Sequence, residues 1–260
     1  MSSREEQKAQ ARAERAARER AQAQAQRRRK RLLQLGSVVA VALIVVAVLV
    51  LVSQGSKPEP NASSGVTVAG VSDSRAMLRG IAQDGSSLGD QNAALVLTEF
   101  ADLQCPFCRD YALDVLPQII QRYVRTGRLR LELRLQRFIG PDSDVAARAA
   151  QAAATRDRMW NFVDLVYRNQ GEENSGYITD SYLARIATAA GVPAKLVLQG
   201  STAASMAKPL IVAEAEAQAA GLTSTPSFLI GRKAGQGKVV NLASLDIDAF
   251  AAAIDAELKR

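Results

Sequence analysis

Three hydrophobic patterns succeed one another along the chain. Leu32–Val52 (LLQLGSVVAVALIVVAVLVLV) is an apolar run broken only by Gln34, Gly36 and Ser37. At about 1.5 Å per residue it covers roughly the 30 Å of a bilayer core, which predicts a membrane-spanning helix over residues 32–53. A second pattern begins at Ala93–Phe100 (AALVLTEF), a strand-like run bounded by turn residues. In the next stretch Tyr111, Leu113, Val115, Leu116, Ile119, Ile120 and Val124 fall at helical spacings, and Leu129–Leu135 (LRLELRL) then alternates as a strand does. Strand, helix and strand in that order predict a βαβ unit, with Pro117 expected to kink or break the helix.

The third pattern, over residues 141–220, is almost wholly helical, with Gly-, Asn- and Pro-rich breaks. Trp160, Phe162, Leu165 and Val166 lie on one face of such a helix and read as core. Ser227–Ile230 and Lys238–Leu242 then read as two strands around a Gly-rich turn (GRKAGQG), and Ser244–Leu258 as a helix capped by Ser244. That turn is no phosphate loop, since Arg232 stands where its first glycine is required and Val239 follows the lysine. Residues 66–90 carry only short apolar patches, so 54–76 reads as a tether and the folded domain as 77–260. Asn61-Ala62-Ser63 in that tether matches a glycosylation sequon, a triplet common by chance.

Charge changes the picture at the N-terminus. The net charge of +7 belongs to residues 1–31, which hold 11 Lys/Arg against 4 Asp/Glu, while the rest of the chain balances at 22 of each. A neutral body gives no footing for nucleic-acid binding. Arg27 to Arg31 abut the apolar run on one side and only Lys57 lies close beyond the other. The positive-inside rule therefore keeps 1–31 in the cytoplasm and puts the remainder outside, on a single-pass anchor in the cell membrane. The run exceeds the apolar core of a cleaved signal peptide, and no A-x-A-like site follows it.

The candidate chemistry is narrow. There is no histidine, so neither a Cys-His pair nor a His-containing zinc site can be assembled from this chain. Its two cysteines, Cys105 and Cys108, sit in TEFADLQCPFCRD between the first strand and the helix. A disulfide across so short a loop constrains the unfolded chain little, and a tetrahedral zinc site needs more ligands than two thiolates. A reversible redox pair fits both the motif and an extracytoplasmic compartment. At the helix start Cys105 faces unpaired N–H groups and the positive end of the helix dipole, which lowers its pKa and makes it the attacking thiolate. Pro106 suits the first helical position, and Cys108, a turn further in, is the resolving thiol.

TEFADLQCPFC after a strand, together with the distant LTSTPSF, resembles the DsbA-like branch of the thioredoxin superfamily in its membrane-anchored form. The resemblance runs from about Met77 to the C-terminus. It implies an α/β thioredoxin-like fold with a helical insertion at about 141–220, and a cis-proline loop at Thr225-Pro226 facing the cysteines. With Pro106 and Phe107 this loop would bind substrate, and Glu99 would relay protons to Cys108. No cofactor or metal is implied. The implied partners are reduced exported proteins and a quinone-linked membrane oxidase, DsbB-like or vitamin-K-epoxide-reductase-like, that renews the Cys105–Cys108 disulfide. Relatives with a histidine between the cysteines are strong oxidants, whereas Phe107 brings apolar surface without charge, which implies a milder poise. Gln91 and Ala94 also replace prolines frequent in relatives. Three functions compete: disulfide formation in exported proteins, reduction or isomerisation by the same pair, and a non-catalytic client-binding module.

Overall fold

The computed structural model describes residues 67–260. The expected basic tail, the anchor over 32–53, the sequon and most of the tether lie outside them. Among the described residues no single helix is long and apolar enough to cross a membrane.

The domain begins earlier than the sequence predicts. Val71–Leu78 forms helix α1, with Ser74 and Leu78 buried, so the end of the expected tether belongs to the fold. Two short strands follow, β1 (Gln83–Asp84) and β2 (Ser87–Leu88). Strand β3 is Leu95–Ala101, and all seven of its residues are buried. Such a strand reads as a continuous apolar run because both sheet faces are covered.

Helix α2 is one continuous helical run made of Pro106–Asp110, Tyr111–Val115, Leu116–Ile119 and Ile120–Val124. The predicted break at Pro117 does not occur. The turn before it, Tyr111–Val115, widens to π geometry. Its longer hydrogen-bond spacing gives the proline ring room and leaves the missing N–H without a partner to lose.

Strand β4 (Leu129–Leu135) runs parallel to β3 and completes the βαβ unit. Helices α3 (Pro141–Ala154), α4 (Met159–Arg168), α5 (Asp180–Ala190), α6 (Ala194–Thr202) and α7 (Ala207–Ala219) occupy the span predicted as helical. Alanines let α3 and α6 approach closely: a Cβ on Gly200 would lie 2.3 Å from that of Ala152, so only glycine fits there.

β5 (Ser227–Lys233) pairs antiparallel with β3, and β6 (Gln236–Val239) with β5, three residues short of the Leu242 end expected from the sequence. The sheet order is β1-β2-β4-β3-β5-β6. Helix α8 is Ile247–Leu258, and its cap is Asp246, whose carboxylate accepts from the N–H groups of Asp248 and Ala249. Ser244, the predicted cap, instead donates to Asp246, because two backbone donors favour the charged acceptor. Tyr111, Phe228 and Phe250 stack with centroids 4.8–5.2 Å apart, locking α2, β5 and α8 into one unit. This thioredoxin-like α/β fold with its helical insertion places the end of β3, the start of α2 and the start of β5 side by side.

Candidate active site

Cys105 is the N-cap of α2, with extended backbone angles (φ −70°, ψ 121°), and Pro106 takes the first helical position. The chain reverses from β3 into this helix through a turn closed by the Cys105 N–H on the Asp102 carbonyl, 3.0 Å. Asp102 also accepts from the Gln104 N–H at 3.0 Å, an Asx-turn that sets the loop locally.

The helical insertion clamps the same loop from outside. Ser143 donates to Asp102 at 2.7 Å, and Gln104 donates to Ser143 at 2.9 Å while accepting from the Asn174 N–H at 2.7 Å. Gln170 donates to the carbonyls of Leu103 and Cys105, and Tyr167 to that of Asp102. Sequence reasoning missed these residues. Aspartate two residues before a polar N–H was a readable signal for the Asx-turn. Nothing in the sequence pairs Gln104 with Ser143, Asn174 or Gln170.

The opposite wall is the cis Thr225-Pro226 peptide at the entrance to β5. The Cys105 thiol lies 3.4 Å from the Thr225 carbonyl oxygen. The structure thus brings Cys105, Cys108, Pro106, Phe107, Thr225 and Pro226 to one mouth at the end of the sheet. Phe107 is 65% exposed there, and Phe138, 58% exposed, precedes the Ile139 N–H that reaches Asp102.

The two thiols are opposite in character. Cys105 has its pKa lowered from 9.0 to about 6, chiefly because the Cys108 thiol donates to its thiolate. Burial opposes this, and the Thr225 hydroxyl and the N–H groups of Cys108 and Phe107 add to it. Cys108 is pushed well above 9.0 by burial, then by its bond to Cys105 and the negative potential of Cys105 and Glu99. One sulfur is therefore mostly thiolate near neutral pH and the other a thiol.

Glu99 lies inside the protein, in mid-β3, with Leu133 and Phe228 as its register partners and 5% of its surface exposed. Its carboxyl is raised from 4.5 to about 8 by burial and by Cys105, and its Oε1 has no hydrogen-bond partner. A carboxyl that is protonated at neutral pH yet close enough to the sulfurs to feel their charge can exchange a proton with them.

Comparison with known proteins agrees with this geometry. A family model described as Thioredoxin matches residues 82–256. A Bacillus cereus protein named "Probable disulfide bond formation protein D" is 30% identical over 178 residues, covering 67% of this chain and 79% of the relative. The oxidised crystal structure of BdbD from Bacillus subtilis superposes with a TM-score of 0.61 at 21% identity, over 69% of this chain and 98% of that one. Wolbachia pipientis α-DsbA1 superposes at 0.58 and 20% identity, over 67% and 90%.

Proposed function

Because this chain belongs to the DsbA-like disulfide bond formation proteins of the thioredoxin superfamily, we propose that it introduces disulfides into reduced proteins outside the cytoplasm. The observation that carries this reading is the pairing of a thiolate-forming Cys105 with a buried, protonated Cys108. A reduced client's thiolate attacks Cys105 Sγ of the Cys105–Cys108 disulfide, and Cys108 leaves with both electrons of the broken bond. The client's second thiolate then attacks its own sulfur in the mixed disulfide. The client departs oxidised and Cys105 departs as a thiolate.

The low pKa of Cys105 favours this direction. Lowering it from 9.0 to about 6 stabilises the dithiol form at pH 7 by on the order of 1 kcal/mol, a few tens of millivolts in potential, relative to an ordinary thiol. That form is the product of client oxidation. Thr225 and Pro226 line the client's path, with Thr225 supplying both a carbonyl and a hydroxyl beside the attacked sulfur. Pro106 and the exposed ring of Phe107 offer the client apolar surface on the other side. Glu99 supplies the proton that Cys108 takes up as it leaves, since its carboxyl is neutral below about pH 8.

The apolar run Leu32–Val52 anchors the domain, with residues 1–31 in the cytoplasm and the cysteines outside. A quinone-linked oxidase in the same membrane accepts the two electrons from Cys105 and Cys108 and renews the disulfide.

The test is oxidation of a reduced two-cysteine peptide by the full chain, with glutathione disulfide as terminal oxidant, alongside the reduction potential of the pair. Catalysis that is absent in Cys105→Ser, with a potential more oxidising than that of the glutathione pool, supports the reading. Equal activity in Cys105→Ser overturns it. A potential as low as thioredoxin's turns the assignment to a reductase.

A further inference from the structure

Glu99 can pass a proton to Cys108 only if it recovers one, and its Oε1 is buried. Behind it is a small, narrow-mouthed cavity of about 10 Å³, the lower limit for a single water. Its apolar lining includes Met77, Leu116, Leu133 and Val163, and its two carboxyls are Glu99 and Asp164. Trp160 and Tyr167 also line it, but their polar hydrogens are donated elsewhere, to the carbonyls of Ser86 and Asp102.

Six buried side-chain polar atoms among the described residues lack a hydrogen-bond partner, and three of them belong to Glu99, Asp164 and Ser74. Glu99 Oε1 and Asp164 Oδ1 belong to the two carboxyls of the cavity, and Ser74 Oγ belongs to the hydroxyl facing Asp164 from α1 without completing a bond of normal geometry. Ser74, with its Oγ buried, forms part of the floor of an open cleft of about 490 Å³ bounded by α1, α4 and the end of α5. Orphaned polar atoms inside a protein are costly, so three in sequence from the active site to an open cleft need a reason.

We propose that Glu99 exchanges its proton with solvent through one water in this cavity, then Asp164 and Ser74, making Asp164 a relay residue that acts through Glu99. The inference rests on the oxidoreductase reading above. When client thiolate attack breaks the Cys105–Cys108 bond, Glu99 gives its proton to the departing Cys108 thiolate and is left as a carboxylate. A proton taken from the cleft as the Ser74 hydroxyl turns toward it passes to Asp164, to the water and back to Glu99, so charge is restored and no other reactant is required.

The charged and titratable neighbours are compatible with this route. Glu99 is faced by Cys105, Cys108 and Tyr111 of α2 and by Tyr167 of α4. Asp164 is faced by Asp73 and Ser74 of α1 and by Arg168 of its own helix, whose Nε donates to Oδ2 at 2.8 Å and leaves Oδ1 free. Burial raises the Asp164 pKa against the pull of Arg168, which brings its proton affinity closer to that of Glu99.

The test is turnover of the reduced peptide by the full chain in H2O and D2O, comparing wild type, Cys105→Ser, Asp164→Asn, Asp164→Ala and Ser74→Ala. Asp164→Asn is expected to lower kcat about tenfold with KM unchanged and to enlarge the solvent isotope effect. Ser74→Ala should move both in the same direction by less. Formate should restore part of the rate in Asp164→Ala and none in wild type. If Asp164 only ties α1 to α4, Asp164→Asn will melt earlier with wild-type kcat and isotope effect, which overturns the inference. Should Asp164→Asn fail to fold, an unchanged isotope effect in Ser74→Ala overturns it equally. A wild-type chain that does not turn over, or turns over as well as Cys105→Ser, sinks the oxidoreductase reading itself, so the two failures are told apart.

Discussion

The mouth around Cys105 and the interior behind Cys108 are one helical turn apart and chemically opposite. At the mouth, hydrogen-bond donors converge on a sulfur: the Cys108 thiol, the Thr225 hydroxyl and the first N–H groups of α2. Behind Cys108 there are few donors and much burial, with Glu99 partnerless in mid-sheet and Asp164 beyond it. The same thiol side chain is acidic in the first place and very weakly acidic in the second. Burial alone cannot explain this, because both cysteines are buried. Donors and depth decide the difference together: a desolvated anion is tolerated at Cys105, where several hydrogen bonds replace water, and disfavoured at the more deeply buried Cys108, where the Asp102 backbone bond is outweighed by desolvation.

The sharpest way to break this comparison is to remove each sulfur. Cys105→Ser should lower peptide oxidation at least about a thousandfold, while Cys108→Ser should still react with client disulfides and then accumulate a mixed disulfide visible on a non-reducing gel. Next, iodoacetamide should label the reduced protein at Cys105 with a midpoint near pH 6, and at pH 7 about a hundredfold faster than at Cys108. Comparable labelling of the two would remove the distinction.

Glu99→Gln tests the interior. The folded carboxyl titrates near 8 against 4.5 when unfolded, so the native state holds a proton that the unfolded chain has lost between those values. Its contribution to stability is intact below about pH 4.5, declines through that window and levels off above 8. Glu99→Gln should therefore gain roughly 3 to 4 kcal/mol over wild type on going from pH 5 to pH 8 in chemical denaturation. The smallest effect belongs to one donor at the mouth. Thr225→Val removes the hydroxyl, and the alkylation midpoint should rise by about one unit, with the potential falling by about 30 mV.

The βαβ core was legible because each strand and helix there announces itself locally, as LRLELRL does by alternation. Cys105 as the ionising sulfur was legible too, since a helix start lies directly after a strand. Three details differ from the local reading, two for local reasons and one for a tertiary reason. Pro117 is absorbed by a π turn, Asp246 takes the cap from Ser244, and α1 was hidden by a weak apolar pattern that α4 supports from outside.

The sequence by itself determined the chemistry available: two cysteines in CPFC, no imidazole to pair with them, and a carboxyl six residues upstream in the strand. Folding decided what those groups do. Thr225 meets Cys105 across 120 residues of sequence, Gln104 finds Ser143 and Asn174, and Asp164 reaches the cavity of Glu99. A pKa depends on the donors and the desolvation around a group, and both are supplied by residues that only the tertiary structure brings into contact.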